Sequence, residues 1–68
     1  MKKPNAEYYR EIKALLETYE PSLIVAFDET VNTSAPLEVF MWLERLPRGT
    51  PLWEALDPIL TDFFYSNH

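Results

Sequence analysis

Sixty-eight residues make a single domain over 1–68, near the lower limit of what folds unaided, and no cysteine is present to supply a disulfide. Eleven Asp and Glu against six Lys and Arg leave a formal net charge of −5, which excludes the clustered basic surface that direct nucleic-acid binding requires. Hydrophobic residues at 47% and aromatics at 15% supply ample core material, which excludes a disordered chain despite the charge.

Lys2 and Lys3 are followed by Pro4 and not by an apolar run, so no secretory signal is expected. The longest apolar runs, 23–27 and 39–43, are far short of the ~20 residues of a membrane helix, and no membrane association is expected. With cysteine absent as well, the expected location is the cytoplasm.

Over 6–19, Tyr8, Ile12, Leu15, Leu16 and Tyr19 recur at helical spacing and predict an amphipathic helix. Asn5 is its expected cap, Glu7 suits the positive end of its dipole, and Arg10 is placed to pair with nearby glutamates. Pro21 forces the residue before it out of the helical region, so the helix should end at Tyr19 or Glu20. The run 22–27 fits either a buried strand or a short helix begun by Pro21. The helix is preferred, because a lone strand would have no partner for its hydrogen bonds. Residues 28–34 lose periodicity and read as the end of that element and a polar loop.

The stretch 37–46 is the most apolar in the chain, with Leu37, Val39, Phe40, Met41, Trp42, Leu43 and Leu46 in ten positions. A helix apolar around most of its surface is buried, so this one is expected at the centre, flanked by the first and last helices. Ser34 is its expected cap and Pro36 lies in its first turn, where a missing amide costs nothing. The turn 47–51 ends it, with Gly49 at a position expected to need positive φ, and Thr50 with Pro51 starts the last helix. Leu52, Trp53, Leu56, Ile59, Leu60, Phe63 and Phe64 keep helical spacing. Pro58 should produce a kink or divide the segment into helices at 51–56 and 58–65, and residues 66–68 should fray. The expected architecture is an all-α, compact bundle of four or five short helices around a central hydrophobic helix.

Catalytic constellations are missing. The single histidine, His68, is terminal, and no triad, zinc site or phosphate loop can be assembled, so neither an enzyme nor a cofactor or metal site is expected. Starting a calcium loop at Asp28 places Thr33 where glycine is required and Val39 where a bidentate glutamate is required, so that motif fails. The triplet Asn32-Thr33-Ser34 spells a glycosylation acceptor but lacks an export signal to give it meaning.

Ten aromatic residues exceed what one small core is expected to hide, and Tyr and Trp are favoured at interface hot spots. Tyr9 lies off the stripe of the first helix, and Val39 and Trp42 lie off the main stripe of the apolar one. These three are the candidate partner interface. The expected function is a small acidic, non-enzymatic protein-binding module, a regulator, inhibitor or accessory subunit that associates as a homodimer. The alternative is a nucleic-acid mimic whose carboxylates, gathered on one face, compete for a basic groove of a nucleic-acid-binding protein.

Overall fold

A computed structural model describes residues 3–67. Four α-helices follow one another, α1 over Asn5–Tyr19, α2 over Ile24–Thr33, α3 over Pro36–Glu44 and α4 over Pro51–Ser66, with a single 3-10 turn at Pro21–Leu23 leading into α2. The described residues contain no strand, so the all-α bundle and the helical reading of 22–27 both hold.

Helix α1 ends where the proline rule places its end, with Glu20 out of the helical region before Pro21 and its amide bonded to the Leu16 carbonyl. Its start differs from expectation. Pro4 is the capping residue and offers no side-chain acceptor, while the Asn5 amide oxygen is occupied across the bundle by the Asn67 Nδ2 at 2.9 Å. Arg10 forms no ion pair among the described residues, and Glu11 is held instead by Lys3 at 2.7 Å.

Helix α2 runs through most of the stretch read as a loop. Thr30 and Thr33 donate to the carbonyls of Ala26 and Glu29, one turn back, so these polar side chains bond along the helix without leaving it. Phe27 is the buried anchor and Val31, four residues on, packs on the core beside it. Lys13 bonds Asp28 at 3.1 Å and ties α1 to α2 at a half-exposed position.

The most extensive packing joins α1 to α4, and α3 lies against α2 and α4. The apolar helix is therefore not the hub flanked by the first and last helices. Only Val39 and Leu43 of its nine residues are buried, whereas α1 and α4 are longer and bring Tyr8, Ile12, Leu16, Leu56, Leu60 and Phe63 together. Burial scales with the length of matched apolar face, and the two long helices have the most to match. Ala35, not Ser34, precedes α3. Its amide donates to Glu38 Oε1 at 3.1 Å, while the reciprocal half of a capping box cannot form because alanine has no acceptor.

The α3–α4 connection follows the sequence closely. Gly49 has φ +77, and the Thr50 hydroxyl accepts from the Trp53 amide at 3.1 Å with Pro51 as the first helical residue. Pro58, however, stands inside one uninterrupted α4. The carbonyl it cannot serve belongs to Glu54, and both residues are exposed, which leaves that group open to solvent while the buried face of Trp53, Leu56, Leu60 and Phe63 keeps its register. The far end of α4 is also secured. Asn67 Nδ2 bridges the Phe63 carbonyl and Asn5, in place of the expected fraying of residues 66 and 67; His68 lies outside the described residues.

Candidate functional site

Of the three residues expected at an interface, Val39 is wholly buried and belongs to the core. It cannot reach a partner of the folded chain. Tyr9 and Trp42 are half-buried and meet the same ring, Phe27, at centroid distances of 6.2 and 6.1 Å. Tyr9 also lies edge-on to Phe63 at 5.6 Å, and burial pushes its phenol above the ordinary value. These two side chains chiefly build the wall of the core.

The aromatic surplus is smaller than the sequence suggests. Tyr8, Phe27, Trp53 and Phe63 are buried, and Phe40, Trp42 and Phe64 are half-covered through ring pairs such as Phe40–Phe64 at 4.9 Å. Of the ten aromatic side chains, Tyr19 and Tyr65 are the exposed ones. Apolar surface is left open elsewhere, on the outer face of α3, where Leu37 and Met41 are 52% and 51% exposed. They lie one turn apart, on the same side of the helix as each other and within a turn of Phe40. From Phe40 the apolar surface continues through Phe64 to Tyr65, whose rings are 5.7 Å apart and whose outer member is 67% exposed. The result is a strip that begins on α3 and crosses to the end of α4.

Hollows border the strip on both sides. Between α3 and α4 a groove of about 350 Å³ is floored by Phe40, Trp53, Leu60 and Phe64, with Glu44, Arg48 and Asp57 at its rim. The Arg48 guanidinium lies 4.5 Å from the Trp53 ring centroid and bonds Glu44 at 3.4 Å, so it closes one end of that groove. On the α2 side a hollow of about 290 Å³ is bounded by Thr30, Ser34, Glu38, Met41, Trp42 and Arg45. A third, also about 290 Å³, lies away from the strip among Tyr19, Leu23, Leu46, Pro47, Pro51 and Leu52.

The sequence contained a signal for this face. Glu38 and Arg45 are seven residues apart, which brings them to within about 20° around a helix, and Met41 lies between them. A helix that is apolar nearly all round has no strong phase of its own, so its two closely aligned charges mark the side that faces water. They put Met41 on the outward side and Leu43 on the inward side, while Leu37 and Val39 lie about 100° to either side of Glu38 and are told apart by the structure, which exposes Leu37 and buries Val39.

The carboxylates are dispersed. Glu11, Asp28 and Glu44 are ion-paired, and Asp62 accepts from the Tyr8 hydroxyl. The carboxylate groups of Glu7, Glu17, Glu29, Glu54 and Asp57, drawn from three helices, accept no hydrogen bond and form no ion pair among the described residues. Among those residues there is no group of three or more acidic side chains placed to share a cation. The side chains of the strip can exclude water from a docked apolar surface, and the charges at its margins can orient what docks.

Fold and surface together define a small all-α domain whose third helix turns an apolar face outward. Compared with protein-family models, curated proteins and solved structures, the chain matches none.

Proposed function

We propose that this chain is a non-catalytic protein-binding module of the cytoplasm, a regulator, inhibitor or accessory subunit that acts through the strip running from Leu37 and Met41 across Phe40 and Phe64 to Tyr65. The observation that carries the reading is the half-exposure of Leu37 and Met41 on adjoining turns of α3, with Phe40 of the same helix joined through the Phe64 ring to the exposed Tyr65. Single exposed hydrophobes are ordinary, but a run of them linked by ring contacts is the kind of surface a partner covers. No described helix is long and apolar enough to cross a membrane.

A tagged chain co-expressed with an untagged copy in its native cell tests this. The natural chain should retain a protein partner, the untagged copy included, and a Leu37→Glu/Met41→Glu variant with an unchanged circular dichroism spectrum should lose it. Retention of the same proteins by both chains would contradict the assignment. The nucleic-acid-mimic reading draws less support, because the unpaired carboxylates are divided among α1, α2 and α4. Binding of that kind would fall steeply with added salt, whereas an apolar contact would hardly change.

A further inference from the structure

The outer face of α3 carries charge in a pattern that complements itself. Glu38 and Arg45 are both exposed, they lie on the same side of the helix about 10 Å apart along its axis, and the midpoint between them falls at Met41 and Trp42. Arg45 has no carboxylate partner among the described residues, while Glu38 uses one oxygen on the Ala35 amide and has acceptor capacity to spare. If a second α3 is laid antiparallel on the first, the two-fold axis passes through that midpoint. Each Glu38 then faces the other copy's Arg45, and Met41 sits at the centre. The same operation keeps the α4 side of one copy beside the α4 side of the other. A parallel arrangement would instead set α4 of each copy against α2 of the other.

Resting on the reading of this strip as a protein-binding surface, we infer that its occupant is a second copy of this chain, paired antiparallel along α3 with Glu38–Arg45 ion pairs fixing the register. Two-fold symmetry makes every such contact occur twice, so one favourable pair per chain supplies two per dimer. The ion pairs set the register against a background of mutual repulsion, since each copy has a net charge of −5.

Charge reversal separates this register from a general effect of net charge. Glu38→Arg makes the chain less acidic by two charges and Arg45→Glu makes it more acidic by two, so overall repulsion alone would strengthen one dimer and weaken the other. The ion-pair register requires both variants to weaken, each by about tenfold or more in dissociation constant, because each sets like charges opposite one another twice. An equimolar mixture of the two variants should recover the dimer as a heterodimer, in which every facing pair is again of opposite sign. Sedimentation velocity at matched concentrations reads all three samples, with circular dichroism melts confirming that each variant is folded. A dimer that survives both reversals, or a mixture that stays monomeric, would overturn the register. A monomeric natural chain would overturn self-pairing, and capture of a different protein by the natural chain but not by Leu37→Glu/Met41→Glu would then show that the binding-surface reading survives without it.

Discussion

The Tyr8 hydroxyl donates a 2.9 Å hydrogen bond to the Asp62 carboxylate, joining residues 54 apart across the α1–α4 interface on which the bundle is built. The Tyr8 ring is buried beside Phe63, at a centroid distance of 5.4 Å, while Asp62 is exposed. The ring and the hydroxyl therefore do separable things. Tyr8→Phe keeps the packing and releases a carboxylate that water can solvate, so it should cost about 1 kcal/mol. For a domain of this size that is a drop of about 4–8 °C in Tm. Tyr8→Ala also empties the site and should cost about 3–5 kcal/mol. Thermal melts followed by circular dichroism check both, and equal losses in the two variants would contradict this division.

Pro58 is a local defect that the rest of α4 tolerates. Replacing it with alanine restores an amide to bond the Glu54 carbonyl and removes the steric conflict of a helix-interior proline. The unfolded chain gains freedom in the exchange, which offsets part of the benefit. Pro58→Ala should therefore raise stability by about 1–3 kcal/mol in urea denaturation, and a loss of stability would show that proline-imposed geometry in α4 is needed for packing.

How much of this was visible in the sequence depended on whether one signal acted alone. The first helix, the stop at Pro21 and the Gly49–Thr50–Pro51 turn were legible because their side chains act on their own backbone. The tail of α2 was hidden because threonines that look like loop residues bond back one turn, and a division of α4, offered beside a kink, was wrong because a proline rule ignores a buried face long enough to carry the helix past it. The phase of α3 was misread for a related reason. Its apolar residues surround it, and which of them face inward is decided by α2 and α4; Val39 was consequently placed off the main stripe, although it is wholly buried. Interface candidates chosen as residues off an apolar stripe inherit any error in locating that stripe.

Burial raises the Tyr9 phenol above the ordinary value near 10, so the folded state holds that proton more firmly than the unfolded chain does. The stabilisation is fully present below the unfolded value and is lost as pH rises through the folded one. Lys3 is raised as well, chiefly by its hydrogen bond to Glu11, and contributes in the same direction from a partly exposed position where solvent screens it. Urea midpoints should therefore fall once pH exceeds about 10. Tyr9→Phe, which has no proton to lose, should fall less steeply over the same interval. Parallel curves for the two proteins would remove Tyr9 from the account.

The solution mass of the natural chain, measured by light scattering beside that of the Leu37→Glu/Met41→Glu variant at the same concentration, tests most directly whether the outer face of α3 is a docking surface for a second copy. The natural chain should scatter as two chains and the folded variant as one, with the natural mass holding as salt is raised because apolar burial outweighs the screened charges. A natural chain that scatters as a single copy at every concentration, or a variant that remains paired, would contradict it.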